Sequence, residues 1–430
     1  MAEPFVTSTV MANDYFNVYI ATKMIELAER DLVLDKLAEK FPLPQKSSKS
    51  LRVVQVQRLA LPNAPAVEGV TPPSSAMTLI NVDVTVQQWI IVVTLTDVVD
   101  LVTTHPMVAI ATERVALAMK EVKEREAANA LMAAPNVTYA KAATSRGGLA
   151  ATDIFDTALA ITCAAKLKMR GAPKYSPDGT YFGVMQPPHT AAILGSDQTF
   201  QTASSFSQIN NLRYGYLGPW MNIDWAEGNF LPVYVGVAAP DTAATTATKA
   251  QYTVGTAGTL ASANYQLKVV GREISTNYER RLSVQTGNIA VTTPGSIAVK
   301  TPNSTNYVYD IYMTQAGGTT SYLMASQVAA ATTVVITTAP IGTEPVSPVS
   351  PSLGINVYPG FVLGKSAFGC CELNGMSLQT FVTPKGPSDS DPAAQRRKIA
   401  AKYMDIYFIL EGNFIERFET SSALQAAIPA

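Results

Sequence analysis

From Met107 to Ala134 the chain contains no glycine and no proline, and Pro135 closes the stretch. Pro106 stands where a first helical residue belongs, after Thr103, Thr104 and His105, each able to help cap. At about 1.5 Å per residue this predicts a rod of roughly 42 Å, and the rest of the fold must be built around it. Its apolar residues include Val108, Ile110, Val115, Leu117, Val122 and Leu131. The middle, Lys120 to Glu126, is charged on nearly every side and offers opposite charges at i,i+4. That predicts a solvated stretch in a helix anchored mainly at its ends.

The segments before it read as an arm and a hairpin. Residues 13–41 have helical spacing, with Asn13 or Asp14 as N-cap and Phe41-Pro42-Leu43-Pro44 as the stop. Leu51–Leu61 alternates as a strand, residues 62–77 are rich in Pro, Gly and Ser, and Thr78–Thr96 returns as a long run of Val, Ile and Thr. Two long antiparallel strands with a broad tip make a projecting arm. Such a hairpin is marginal alone and needs a neighbour to lie on.

After the long helix, residues 151–170 predict a second one, with Thr152 and Asp153 as cap candidates and Gly171 at its end. Tyr181–Met185 reads as a strand, followed by a short helical piece at Thr190–Leu194. Residues 238–352 differ in texture. Residues 238–263 are rich in Ala, Thr and Gly and predict an exposed, mobile edge. Six short strands follow at near-regular spacing: 265–270, 281–285, 296–300, 307–314, 321–326 and 332–337. Turn pairs such as Gly287-Asn288 and Gly317-Gly318 separate them. This pattern predicts an inserted β-sandwich of immunoglobulin or fibronectin type, without the Cys…Trp…Cys spacing of true immunoglobulin domains. Strand texture resumes at 360–373 and 377–384, and 402–410 and 413–419 predict two closing strands.

Composition narrows the function. Charged residues are only 15% of the 430, against 47% apolar, and the net charge is −1. A near-neutral balance argues against a protein whose main task is gripping nucleic acid or an anionic membrane. So few charges on a soluble chain predict extensive burial against partners. The beginning, Met-Ala-Glu-Pro-Phe, shows no signal-peptide pattern, and the densest apolar run, Trp89–Val93, is far shorter than a membrane span. Cys163, Cys370 and Cys371 read as buried free thiols of a reducing compartment.

No motif carries an enzyme. Gly360-Phe361-Val362-Leu363-Gly364-Lys365-Ser366 is one residue short of a phosphate-binding loop and lacks a following helix, so it reads as strand and turn. His105 and His189 have no partner at metal-ligand spacing and read as capping or packing residues. Asp97 and Asp100 suit turn and cap chemistry better than a carboxylate pair. Arg396-Arg397-Lys398 with Lys402 is a basic cluster for a salt-bridging or intersubunit face. Tyr307, Tyr309 and Tyr312 read as sandwich core and face. No catalytic, cofactor or metal residue is therefore assigned.

The order of elements resembles the tailed-phage major capsid protein family, whose fold is shared with herpesvirus major capsid proteins. Four stretches carry the resemblance: Arg58 to Pro62 with Val67 to Pro72; Val93 to Leu101 leading into Pro106; Phe361 to Gly369; and Asp391 to Arg396 with the closing strands. The resemblance implies an α+β fold with an N-terminal arm at 1–50 and an extended loop at 51–85. It implies a peripheral domain from 86–150 and 390–430, and an axial domain from 151–237 and 353–389, with 238–352 an insertion outside the common core.

It further implies hexamers and pentamers of an icosahedral virion shell around double-stranded DNA, assembled in a bacterial cytoplasm, with no membrane. Intersubunit contacts are expected at Arg58, Glu68, Arg396 and Arg397. Partners would be other copies of the chain, a separate scaffolding protein, portal and decoration proteins, and DNA through weak non-specific contact. Residues 59–86 hold no lysine, so non-covalent contacts rather than lysine cross-links are expected. The rival reading is a phage adhesion or tail-associated protein whose sandwich is the binding module.

Overall fold

The computed structural model describes residues 33–46, 48–56, 76–102, 106–175, 179–196, 219–292, 295–374, 378–383 and 395–422, with a few isolated positions between them. They fall into two compact units, Met1–Leu131 with Phe368–Glu411, and Met132–Ala367 with Gly412–Ala430.

In the first unit the strand Arg396–Ile409 is central. Gln87–Thr96 runs antiparallel along one edge; Phe368–Leu373 and Gln379–Val382 share the other, and Glu39–Leu43 adds in parallel outside Phe368–Leu373. The helix Met107–Met132 covers one face. Alternation decides which residues meet it: Leu95, Ile399, Ala401 and Tyr403 face Met107, Val115 and Met119, with Ile91 and Val93 at the margin. Ile90 and Val92 take the opposite parity and are exposed.

Two expectations need correction here. The helix read over 13–41 is only Leu34–Leu37 among the described residues, and Glu39–Leu43 is a strand: Pro42 cannot continue a helix, and Phe41 packs into an apolar cluster beside Phe408. The run 78–96 is two strands in different sheets. Leu79–Thr85 pairs with Ser50–Val56, and the chain breaks at the fully buried Val86 before Gln87.

The second unit is organised on an eleven-stranded sheet. Its central strand, Asn356–Leu363, is buried at every residue. Ile415–Thr420 pairs along one edge, so this last strand belongs to a different sheet from Arg396–Ile409. The other edge is shared by Tyr234–Val237 and Tyr181–Met185, which leave 358–360 uncovered. Side chains fill that gap. Gln186 Nε2 donates to Pro359 O at 2.9 Å, and His189 Nε2 lies 3.2 Å from Tyr358 O. Gly360 is required because the Phe418 ring occupies the space a Cβ would need. The helix Thr157–Met169 is capped by Asp156, whose carboxylate accepts from Leu159 N at 2.8 Å; Thr152 and Asp153 precede the helix instead of capping it.

Within residues 238–352, Ser321–Val328, Tyr307–Thr314, Leu267–Glu273 and Glu279–Ser283 extend the large sheet, Glu279–Ser283 pairing in parallel with Tyr234–Val237. Gln251–Leu260, Gly295–Lys300 and Thr333–Ile336 form a second sheet. The two share a core of Leu267, Val269, Tyr309, Ile311 and Met313 with Ile297, Val299 and Ile336. The Ala/Thr/Gly-rich stretch expected to be mobile therefore supplies a ten-residue edge strand, pinned by buried Leu260 and Ala250. Tyr307 and Tyr309 lie in this core, and Tyr312 faces the other way.

Candidate functional site

The hairpin Ser50–Val56/Leu79–Thr85 is a two-stranded sheet with two unlike faces. Leu51, Val53, Val82 and Val84 pack with Leu43, Val86, Cys371 and Phe408, and Gln55 donates to Glu411 at 2.8 Å. The opposite face carries a bidentate Arg52–Asp83 pair at 2.6 and 2.7 Å. Further out along that face, Val54, Val56 and Leu79 are 51%, 54% and 56% exposed. Strand pairing puts these apolar side chains on one surface that nothing in the described chain covers, as an interaction surface requires. The hairpin tip with Arg58 and Glu68 lies outside the described residues, as do His105 and the side chain of Asp100. Arg396 and Arg397 are half-buried on the central strand opposite Thr96 and Leu95, and Lys402 lies over the Phe381 ring.

In the middle of the long helix Lys120 is exposed, but Lys123, Glu124 and Arg125 turn inward. Glu124 is buried and accepts from Val33 N at 2.8 Å, Leu34 N at 2.7 Å and Asp35 N at 3.0 Å. It thus satisfies the free N–H groups that open Leu34–Leu37. Lys123 pairs with Glu372 at 3.1 Å and Asp405 at 3.4 Å and lies over Tyr403. Arg125 lies over Trp89. From Lys123 to Arg125 the solvated middle expected from the sequence is instead a set of internal ties, while Lys120 does meet solvent. A helix-only reading looks for i,i+4 partners and cannot see carboxylates supplied from more than two hundred residues away.

Asp35, Cys370 and Glu372 place possible ligand atoms within 4.8 Å of one another, but they do not fit a metal. Lys40 already bridges Asp35 at 2.6 Å and Glu372 at 3.3 Å. Burial would raise the Asp35 carboxyl, yet hydrogen bonds from Lys40 and Tyr407 hold it below the usual range. Burial pushes the Cys370 thiol up to about 12, so it is protonated at neutral pH. Asp405 is the strained member. Burial lifts its carboxyl to about 7 against the pull of Lys123.

In the second unit Arg146 holds Glu419 through two bonds of 2.8 and 2.6 Å and stacks over Tyr234. Arg417 reaches the same carboxylate at 3.3 Å. Glu416 takes Arg170, Lys166 and Thr138. His189 is buried against Phe155 and Phe418, and its Nδ1 accepts from Gln186 N at 3.1 Å. Burial pushes its pKa down to about 3, so it is a neutral packing residue throughout the physiological range. The three cysteines are buried free thiols. Gly364-Lys365-Ser366 is a turn that enters the strand Phe368–Leu373, with Lys365 N bonded to Pro173 O and no helix to cradle a phosphate. None of the described helices is long and apolar enough to cross a membrane.

No family model matches this sequence, and no curated protein matches it. Solved structures do match in fold. The capsid of Ralstonia phage GP4 aligns over 100% of both chains with a TM-score of 0.54 at 9% identity. The capsid structure of the cyanophage P-SCSP1u aligns over 95% of this chain and 93% of its own, with a TM-score of 0.53 at 12% identity. The acid-stable capsid of the Helicobacter pylori bacteriophage KHP30 aligns over 94% and 95%, with a TM-score of 0.52 at 7% identity. The chain has the fold of these phage capsid proteins.

Proposed function

We propose that this chain is the major capsid protein of a tailed bacteriophage, forming the hexamers and pentamers of an icosahedral shell that encloses double-stranded DNA. One observation carries the reading: the likeness to a phage capsid extends over 100% of both chains, so it takes in the whole chain and not a single module of it. The exposed apolar face of the hairpin supports it, because Val54, Val56 and Leu79 require a neighbouring subunit to leave water.

In this reading the peripheral domain expected at 86–150 and 390–430 corresponds to the first unit, with the long helix and with the hairpin as its extended loop; the compact units draw the boundaries differently, since 132–150 and 412–430 go with the second unit and 368–389 with the first. The second unit is axial, and residues 238–352 decorate it outwardly. Arg58, Glu68, Arg396 and Arg397 are intersubunit contacts. A scaffolding protein, portal and decoration proteins are the further partners, and assembly takes place in the host cytoplasm. Expression of the full chain followed by negative-stain electron microscopy and light scattering tests this. Closed shells, tubes or rings of five or six subunits are expected. A species that stays monomeric or dimeric even with the phage's scaffolding protein co-expressed would refute it.

A further inference from the structure

One cavity in the second unit combines a buried cation with a buried hydroxyl, both short of partners. Its volume is about 400 Å³, and Lys268, Ser321, Ser347 and Ser350 are among its walls. Register explains why the first two meet there. Lys268 lies opposite Tyr312, and Ser321 lies opposite Thr314. Residues two apart on a strand share a face, so Lys268 and Ser321 emerge on the same side of the sheet. That side is turned away from the core of Leu267, Val269, Ile311 and Met313.

Lys268 is 5% exposed and Ser321 is 2% exposed. Among the described residues no carboxylate lies within ion-pair distance of the Lys268 ammonium, which donates to the Pro348 carbonyl; Glu279 attracts it only from farther away. The Ser321 hydroxyl is buried without a hydrogen-bond partner. A buried cation without a counter-ion is costly, as is an unsatisfied hydroxyl. Burial, with Arg146 nearby, pushes the Lys268 amine down to about 8. It is therefore still mainly protonated near neutral pH. An anion with oxygen acceptors would satisfy both groups at once.

We propose that this cavity binds a small oxyanion, held between the Lys268 ammonium and the Ser321 hydroxyl. A tetrahedral phosphate and a planar carboxylate share the required chemistry. The site does not depend on the assembly reading, since every residue in it comes from one unit of one chain.

The test is isothermal titration calorimetry of the full-length chain with inorganic phosphate and, separately, with acetate, near pH 7 at constant ionic strength set with chloride. Saturable binding of at least one of them, one site per chain, is expected, and which one binds identifies the oxyanion geometry. Lys268→Met should abolish it, and Ser321→Ala should weaken it by roughly 3- to 10-fold, the loss of one hydrogen bond. Near pH 9 the affinity should fall about tenfold as the amine loses its proton. The proposal is overturned if neither anion gives saturable heat to the wild-type chain. It also fails if Lys268→Met binds like wild type. Should that variant not fold, unchanged affinity both in Ser321→Ala and in wild type near pH 9 would equally dismiss the site.

Discussion

The hairpin Ser50–Val56/Leu79–Thr85 and the strand block between Gln251 and Ile336 are built from similar material. Both are Val-, Ile- and Thr-bearing strands paired antiparallel. The block closes on itself: two sheets bury Ile297, Val299 and Ile336 against Val269 and Ile311. The hairpin buries one face and leaves Val54, Val56 and Leu79 in water on the other. Pairing satisfies the backbone in both cases, but only a second layer satisfies the apolar side chains. The block can be stable within one chain, whereas no second layer among the described residues completes the outer face of the hairpin.

Substitutions should separate these two behaviours. The largest loss of chain stability is expected from Arg146→Met, which leaves Glu419 buried with only the more distant Arg417; unfolding by urea should show a loss of roughly 3–5 kcal/mol. Ile297→Ala, inside the block, should cost about 2–5 kcal/mol in the same assay by opening a cavity between the sheets. A loss under about 0.5 kcal/mol there would mean that the two sheets do not share a core.

Asp405→Asn should act with the opposite sign and depend on pH. The folded-state pKa, about 7, lies above the ordinary 3.8. The folded state therefore favours the protonated acid, and this group's contribution is full below about pH 4, declines as pH rises, and is lost above about 7. Lys123, Glu372 and Asp35 act on it, and with the amine held above its ordinary value and both carboxyls below theirs, all three keep their charges near neutrality. The variant should thus be more stable than wild type by roughly 1–3 kcal/mol near pH 8, with the gain shrinking toward pH 5. An equal gain at both pH values would show that the carboxylate is not strained. Arg52→Ala, which breaks an exposed pair on the outer face of the hairpin, should change thermal stability least, leaving the melting temperature indistinguishable from that of wild type.

The fold was readable in the sequence where one periodicity ran unbroken. Met107–Met132 and Tyr307–Thr314 match their predicted spans closely because caps and alternation are local signals. The break at Val86 was not readable in the residue pattern, since a β-run continues through it and only the partners change; the family resemblance alone put a boundary between 85 and 86. Gln251–Leu260 was missed because its Ala, Thr and Gly residues carry weak strand propensity, and pairing with Gly295–Lys300 decides the matter. The outer face of the hairpin was half legible. The sequence announces an arm that needs a neighbour, but which parity stays exposed depends on Phe408 and Cys371, far along the chain. The roles of Glu124 and Lys123 were hidden for the same reason.

The most direct test of the claim that this chain tiles through its hairpin is a paired assembly experiment. Wild type and the Val54→Asp/Val56→Asp double variant would be compared by size-exclusion chromatography with light scattering and by electron microscopy, beside thermal melts of the unassembled chains. Wild type should form shells or rings. The variant should remain unassembled while melting within about 2 °C of wild type, because both positions are exposed in the single chain. Shells formed equally well by the double variant would contradict the account.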